Sequence, residues 1–274
     1  MVSKNKMKLQ NSEHLSKVSE FFGLDGKIAL VPGGYGGLGS AIASAVAAAG
    51  ATVVIAGRQK KKAETLALGL VNRKWKADCV VLDANSVESI NCAVDEVAGR
   101  FGRIDILINC VGIHKEQTLL EVTEDVYDEV YRTNLKAAMF LAQATARHQV
   151  AAGVGGRQIH LASVRAQLGI RNRGYSAYCS SKGGLMMLIK QHSLELASEQ
   201  ITVNGVAPTF VYTEMIKKVM DNPDIHDELV ARIPLGRIAS PSDVIGPVLF
   251  FCSDVSGFVT GQILYVDGGI TASQ

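Results

Sequence analysis

Three side chains in the second half of the sequence have the types and spacing needed to transfer a proton. Tyr178 and Lys182 lie four residues apart at the start of a predicted helix, which places them on one face. A phenol titrates at about 10, and a neighbouring ammonium group favours the phenolate and lowers that pKa. The pair is a candidate general acid/base. The hydroxyl of Ser163, just past a predicted strand, is a candidate to hold a carbonyl or alkoxide oxygen.

A Tyr and a Lys at this spacing are common on protein surfaces, so the predicted elements around them must show whether the pair belongs to a functional site. Residues 31–39, VPGGYGGLG, follow the apolar run 27–31 and precede an Ala-rich run at 40–49. Strand, glycine turn and helix in this order indicate a pyrophosphate site, because the helix N-terminus offers free N–H groups. The spacing of Gly33, Gly37 and Gly39 is GxxxGxG. An ordinary tight turn without a ligand is the alternative.

Apolar runs alternate with helix-like stretches along the rest of the chain. Further strands are predicted at 52–56, 78–82, 104–109, 158–162, 201–206 and 262–266, with helices at 60–71, 87–101, 124–150, 177–197 and 242–252. The region 213–231 is predicted to be irregular and partly helical. This alternation predicts an α/β fold, a doubly wound parallel sheet of about seven strands flanked by helices. We expect a single domain over 24–274 after an N-terminal extension, 1–23.

Bulk properties narrow the class of protein. The 274 residues carry a net charge of +2, which points to neither nucleic acid nor a membrane surface as a partner. The five cysteines form no CxxC pair, which favours a reducing, cytoplasmic compartment. No apolar run approaches the roughly 20 residues of a membrane span, and the polar N-terminus does not resemble a secretory signal. No His/Cys cluster suggests a metal.

The end of the second predicted strand bears on cofactor choice. In dinucleotide-binding folds an acidic residue there binds the ribose 2′-hydroxyl, whereas an Arg accepts a 2′-phosphate. Here the strand ends at Gly57-Arg58, and lysines 60–62 follow. This predicts NADP(H) in preference to NAD(H), which stays an alternative; a solvated Arg58 is the competing interpretation. Asp83, after the third strand, is placed either to meet the adenine or to cap the next helix, a role for which Ser86 competes.

At this point the sequence is identified as resembling the short-chain dehydrogenase/reductase family over residues 24–270. Besides the glycine turn and YxxxK, the matching segments are 109–112 (NCVG), 133–135 (TNL), 203–208 (VNGVAP) through Thr213, and 265–269 (YVDGG). The resemblance implies a Rossmann-type fold and hydride transfer between a nicotinamide and a carbon bearing oxygen.

The resemblance also implies roles for single residues. Tyr178 would exchange the proton, Lys182 would lower its pKa and hold the ribose hydroxyls, Ser163 would orient the substrate oxygen, and Asn134 would support a water chain. The residues expected to contact the cofactor are Gly33, Tyr35, Gly37, Leu38, Gly39, Arg58, Asp83, Asn109, Gly112, Tyr178, Lys182, Pro208 and Thr213.

The sequence departs from the family pattern in two neighbouring segments and in one loop. Pro32 stands where Thr is usual, which removes an N–H from the turn, and Cys110-Val111 stands where Asn-Ala is usual. Both changes bear on adenosine affinity. Ser163 and Tyr178 are also slightly further apart than usual, with the extra residues in 170–174.

The prediction of the substrate depends on basic residues expected at the rim of the substrate pocket. Arg165, Arg171 and Arg173 lie between Ser163 and Tyr178, and His114 follows the 109–112 segment. Arginine forks suit carboxylates, so the rim predicts an anionic or polyhydroxylated substrate; solvated or subunit-contact arginines are the alternative. The layout resembles the gluconate and polyol dehydrogenase branch. A 3-oxoacyl-carrier-protein reductase and a nucleotide-binding scaffold without turnover are the other hypotheses. The resemblance implies a homo-oligomer, tetramer or dimer, formed through the two long helices.

Overall fold

A computed structural model describes residues 21–213 and 223–273 of the chain. Most of the predicted N-terminal extension, 1–23, and the stretch 214–222 of the region predicted to be irregular lie outside the described residues. The assignment of 24–274 as one catalytic domain stays a prediction.

The strands form one parallel sheet in the order β3-β2-β1-β4-β5-β6-β7. Their bounds are β1 Ile28–Pro32, β2 Thr52–Gly57, β3 Ala77–Val81, β4 Ile106–Asn109, β5 Gly156–Leu161, β6 Ile201–Pro208 and β7 Ile263–Val266. The chain winds outward from β1 to β3 and then returns to the other side of β1 at β4. The doubly wound seven-stranded sheet is therefore confirmed, with its switch point between β1 and β4, where such folds bind ligands.

Helices cover both faces of this sheet. They are α1 Gly37–Ala48, α2 Lys60–Asn72, α3 Val87–Phe101, α4 Glu124–Tyr131, α5 Ala137–Ala152, α6 Ser176–Glu195, α7 Pro223–Val230 and α8 Pro241–Cys252. Neighbouring residues of β1 and β2 face opposite layers. Val31 and Ile55 pack with α1, α2 and α8, whereas Leu30 and Val54 pack with α3 and α5. Both faces of the central strands β1, β2 and β4 are buried, which is why these strands appear in the sequence as apolar runs.

The helix predicted at 124–150 is interrupted. A π-helical turn, Arg132–Lys136, separates α4 from α5. Within it the Thr133 hydroxyl donates to Asn85 Oδ1 across 2.9 Å, and Asn134 is buried against the loop that follows β4. Single π turns inside α-helices occur mostly at functional sites. Hydrophobic periodicity does not report one extra residue in a turn, so the sequence predicted a continuous helix.

Candidate active site

The glycine turn lies at the switch point and permits a close backbone approach. Gly33 has a φ of +75°, and a Cβ there would lie 2.9 Å from the carbonyl carbon of Cys110. A Cβ on Gly39 would lie 2.3 Å from the oxygen of Gly33. Pro32 ends β1, and its carbonyl accepts the Cys110 N–H at 2.9 Å, so the missing proline N–H leaves this link intact. The two segments that depart from the family pattern are thus in direct contact.

The N-terminus of α1 fits an anionic group. Gly36 precedes the helix and supplies no side-chain cap, so the first N–H groups of α1 are left to a ligand or solvent. Thr213 lies over this end, because a Cβ on Gly37 would approach the Thr213 Cβ to 2.9 Å. Leu38 turns inward against the core. This cradle, too narrow for side chains, fits a pyrophosphate.

Tyr35 fastens the glycine turn to the end of β2. Its hydroxyl accepts the Gln59 N–H at 3.0 Å. Its ring lies so close to Gly57 that a Cβ there would be 2.4 Å from a ring carbon. Arg58 is exposed between these two contacts. The sequence identified Tyr35 and Arg58 but not this link to Gln59.

Two side chains expected on the adenosine side have defined partners. Ser86 caps α3 by accepting the Ser89 N–H at 3.2 Å, so Asp83 is not the helix cap. Asp83 instead accepts the Asn85 N–H at 3.0 Å and stays partly buried. Asn109 Oδ1 accepts the Val111 N–H at 3.0 Å, which fixes the turn after β4.

The sequence did not single out His160, which lies beneath that turn. Its Nδ1 is 3.3 Å from Asn109 Nδ2, and since the amide nitrogen can only donate, Nδ1 must accept. Burial lowers the pKa of His160 to about 3, so the ring is neutral with its proton on Nε2. That buried nitrogen has no hydrogen-bond partner among the described residues.

The four predicted catalytic residues converge at the carboxyl edge of β4 and β5. Gly112 marks their meeting point: a Cβ built on it would lie 3.5 Å from Lys182 Nζ and 3.6 Å from Asn134 Oδ1. Ser163 is buried, and its hydroxyl is near enough to Tyr178 to oppose in part the rise that burial causes in the Tyr178 pKa.

The amide of Asn134 holds two elements together. Oδ1 accepts the Ile113 N–H at 2.8 Å, and Nδ2 donates to the Ile113 carbonyl and to the Ser181 hydroxyl, both at 3.0 Å. The π turn therefore ties the loop after β4 to α6, the helix that carries Tyr178 and Lys182.

Burial moves the pKa values of Tyr178 and Lys182 in opposite directions. Burial raises the pKa of Tyr178, and the Ser163 hydroxyl opposes that effect only in part. Burial also lowers the pKa of Lys182 to about 8. Its Nζ lies 5.9 Å from the centre of the Tyr178 ring and donates to the Leu161 carbonyl at 2.8 Å. The predicted lowering of the Tyr178 pKa by Lys182 stays a prediction.

The predicted basic rim is largely engaged within the protein. Arg165 is buried, donates to the carbonyls of Leu168 and Gly169 at 3.4 and 2.6 Å, and lies over the Phe210 ring. Arg173 binds both carboxylate oxygens of Glu116, at 2.6 and 2.5 Å. Arg171 is exposed and makes no hydrogen bond or ion pair to the described residues. Arg173 is thus held by a carboxylate and Arg165 is engaged through one guanidinium nitrogen, and the anion site stays a prediction.

His114 lies against Tyr178. Its ring centre is 4.1 Å from that of Tyr175, and its edge-on contact with Tyr178 has a centre-to-centre distance of 5.1 Å. Burial among these rings lowers the pKa of His114, so it adds no charge at neutral pH.

Pro208, the buried last residue of β6, pairs with Val266 of β7. The sequence missed Glu116 and Tyr175, because neither type is distinctive in a loop.

An uncapped helix behind a glycine turn, at the switch point of a parallel sheet and beside a Tyr-Lys-Ser-Asn set, defines a dinucleotide-dependent oxidoreductase site. The sequence model described as enoyl-(acyl carrier protein) reductase matches residues 34–271. The chain belongs to the short-chain dehydrogenase/reductase family, whose members are oxidoreductases acting on CH–OH or carbonyl groups.

Three similar proteins illustrate the range of this family. The 3-oxoacyl-[acyl-carrier-protein] reductase of Aquifex aeolicus is 35% identical, over 90% of this chain and 98% of its own. The D-threitol dehydrogenase of Mycolicibacterium smegmatis is 35% identical, over 91% and 95%. The crystal structure of a gluconate 5-dehydrogenase from Burkholderia cenocepacia, in complex with NADP and tartrate, has a TM-score of 0.90 and 35% identity, covering 94% of this chain and 100% of that one.

Two negative findings apply to residues 21–213 and 223–273. These residues contain no group of three or more His, Cys, Asp or Glu side chains that could hold a metal ion. None of the helices in these ranges is long and apolar enough to cross a membrane.

Proposed function

We propose that the protein is an NADP(H)-dependent oxidoreductase that interconverts a secondary alcohol and a ketone. The observation that carries this proposal is the convergence of Ser163, Tyr178, Lys182 and Asn134 beside Gly112, at the same sheet edge as the uncapped helix. When bound, the nicotinamide supplies or accepts the hydride. Gly33, Gly37 and Gly39 would hold the pyrophosphate, with Thr213 over it, and Arg58 would hold the 2′-phosphate.

The protein's own part in the reaction is proton transfer and positioning. The Ser163 hydroxyl holds the substrate oxygen, and the Tyr178 hydroxyl gives its proton to that oxygen in reduction or takes it in oxidation. The Lys182 amine has donors left after its bond to Leu161, and these would hold the ribose hydroxyls. Asn134 fixes the loop after β4, and an ordered water there would carry a proton from solvent to Tyr178 after reduction and from Tyr178 to solvent after oxidation.

For the substrate we propose a neutral polyol or its ketone in preference to a sugar acid. Within the predicted rim, Arg173 is held by both carboxylate oxygens of Glu116, and Nη1 of the buried Arg165 donates to the Leu168 and Gly169 carbonyls. His114 and Tyr175 present rings with polar edges, which suit the alternating C–H and O–H surface of a polyol. A 3-oxoacyl-carrier-protein reductase and a scaffold without turnover stay the alternative hypotheses.

Turnover on a panel of substrates tests these proposals together. Pentitols, tetritols and their ketoses, gluconate-type acids and 3-oxoacyl thioesters would be compared with NADPH or NADP⁺ and with the non-phosphorylated cofactors. We expect the highest kcat/KM on neutral polyols or ketoses. A clear preference for acids would overturn the substrate assignment, and cofactor binding without turnover on any of these substrates would favour the scaffold.

Arg58→Ala tests the cofactor assignment separately. A charged hydrogen bond to phosphate contributes roughly 1.5–3 kcal/mol, so we expect the KM for NADPH to rise about 10- to 100-fold while that for NADH changes little. Arg147→Ala, on the exposed face of α5, is the matched control. Equal effects of Arg58→Ala on both cofactors would contradict the 2′-phosphate role.

We propose further that the protein is a cytoplasmic homo-oligomer, tetramer or dimer. The outer faces of α4, α5 and α6 and the π turn form a groove of about 650 Å³. Its lining combines Leu135, Met139, Phe140 and Met187 with the charged side chains Asp128, Arg132 and Lys136. Exposed apolar residues bordered by charged ones favour association. Sedimentation of the wild-type protein and of Met187→Glu tests it, and a monomeric wild type would refute it.

A further inference from the structure

The two loops that border the catalytic tyrosine are joined to each other. One follows β4 (residues 110–123) and the other follows β5 (162–175). Glu116 in the first loop binds the Arg173 guanidinium with both oxygens and also accepts the Gly174 N–H at 3.3 Å. The Gln117 N–H donates to the Gly174 carbonyl at 3.0 Å. We call this set of contacts the loop clasp; it consists of Glu116, Gln117, Arg173 and Gly174.

A glycine is required at the centre of the clasp. A Cβ on Gly174 would lie 2.2 Å from the carbonyl carbon of Gln117 and 2.3 Å from its oxygen. Both of those atoms are backbone, so neither can move aside as a side chain would. The extra residues at 170–174 thus form a specific contact with the opposite loop.

The clasp lies next to the rings that flank Tyr178. His114 is two residues before Glu116, and Tyr175 directly follows Gly174. The Arg173 guanidinium lies over the Tyr175 ring, 5.4 Å from its centre, and Tyr175 contacts His114. His114 in turn meets Tyr178 edge to face. A chain of contacts therefore runs from the Glu116–Arg173 pair to the catalytic tyrosine.

We propose that Glu116 and Arg173 are positioning residues, which hold the His114–Tyr175 wall against Tyr178 and so set the part of the site that selects the substrate. The inference rests on the function proposed above. Neither residue touches the glycine turn. Releasing the clasp should therefore raise the substrate KM and lower kcat, because the wall loses its fixed position, while the KM for NADPH stays the same.

A double-mutant cycle of Glu116→Gln and Arg173→Met gives the direct test. We expect each single change to lower kcat/KM for the substrate about 3- to 30-fold, as for misplacement of a group outside the chemistry. The double variant should be no worse than either single variant, since both remove one interaction. The charge swap Glu116→Arg with Arg173→Glu should recover part of the loss.

Two controls separate the clasp from a general charge effect. Arg147→Met removes an exposed positive charge from α5, away from both loops. Lys115→Met breaks the ion pair between Lys115, in the loop after β4, and Glu129 of α4. Both changes should leave kcat/KM unchanged. An Arg147→Met loss equal to that of Arg173→Met, additive losses in the double variant, or an equal rise in the KM for NADPH would each overturn the proposal.

Hydrogen exchange tests the clasp without turnover. In the wild type the Gln117 amide should be protected by its bond to the Gly174 carbonyl, and Arg173→Met and Gly174→Ala should both speed its exchange several-fold. If the wild type turns over no substrate of the panel but shows this change in protection, the proposed function fails and the clasp stands. If exchange at Gln117 is fast in the wild type, or unchanged in both variants, the clasp itself is refuted.

Discussion

Replacing Lys182 with methionine should stabilise the fold while abolishing turnover. Lys182 is 4% exposed, and burial lowers its pKa from 10.5 to about 8. At about 1.4 kcal/mol per pH unit, the buried ammonium group destabilises the fold by roughly 3 kcal/mol at pH 7. Losing the bond to the Leu161 carbonyl offsets about 1 kcal/mol of the gain. The net gain of about 2 kcal/mol corresponds to a Tm rise of about 4–8 °C.

The pH dependence of this gain identifies its cause. Below pH 8 Lys182 is protonated in both the folded and the unfolded chain, so the destabilisation is complete. Between pH 8 and 10.5 the unfolded chain binds more protons at this site, so the stability of the wild type rises with pH. The advantage of Lys182→Met should therefore be full at pH 7 and gone by about pH 10.5.

Denaturant unfolding of both proteins at pH 7, 8, 9 and 10 measures this difference. Lys190→Met is the matched control, because Lys190 lies on the same helix and is exposed. It should change stability little and with no trend in pH. A Lys182→Met protein that is less stable than the wild type at pH 7, or an advantage that does not shrink by pH 10, would refute the assignment of a buried, destabilising ammonium group.

Three further predictions concern groups around the site. Tyr178 should titrate above pH 10 in the absence of cofactor, because burial raises its pKa. The difference in phenolate absorbance between the wild type and Tyr178→Phe measures this titration, and titration below pH 8 would contradict the prediction. Gly57→Ala should force the Tyr35 ring aside and weaken NADPH binding about tenfold. The control Gly99→Ala has open space around the new methyl group, so it should leave NADPH binding unchanged and stabilise α3 by about 0.5–1 kcal/mol. Equal NADPH binding by both variants would contradict the Tyr35 contact. His160→Leu leaves the buried Asn109 amide donor unpaired and should lower the free energy of unfolding by about 1–3 kcal/mol. His160→Asn retains an acceptor and should largely avoid this loss. Equal losses in the two variants would refute the acceptor role of His160.

The fold could be predicted from the sequence because a short apolar run, which indicates a strand, is repeated seven times along the chain. The central strands β1, β2 and β4 are buried on both faces and therefore appear as apolar runs, as Leu30 and Val31 show by packing into opposite layers. The meeting of Ser163 with Tyr178 was also predictable, since the carboxyl ends of parallel strands share one edge. The π turn at Asn134 was not, because one extra residue in a turn does not disturb helical periodicity enough to be recognised.

The arginines between Ser163 and Tyr178 show a different limit of prediction from sequence. Arg173 and Glu116 are 57 residues apart in the chain, and only the folded loops bring them together. Composition between Ser163 and Tyr178 predicted a free cationic rim because it could not show that a carboxylate from another loop would meet it. A sequence pattern indicates which groups are present, whereas their partners decide what those groups can bind.

The same reasoning separates the two anion sites that the sequence predicted. Arg173 is held by Glu116, so a substrate carboxylate would have to displace a bidentate partner already in place. Arg58 makes no ion pair to the described residues and lies where Tyr35 holds the glycine turn to the end of β2. A phosphate arriving there displaces only water. The argument from arginine chemistry therefore favours a cofactor phosphate at Arg58 over a substrate anion at Arg173, although the sequence presented both residues in the same way.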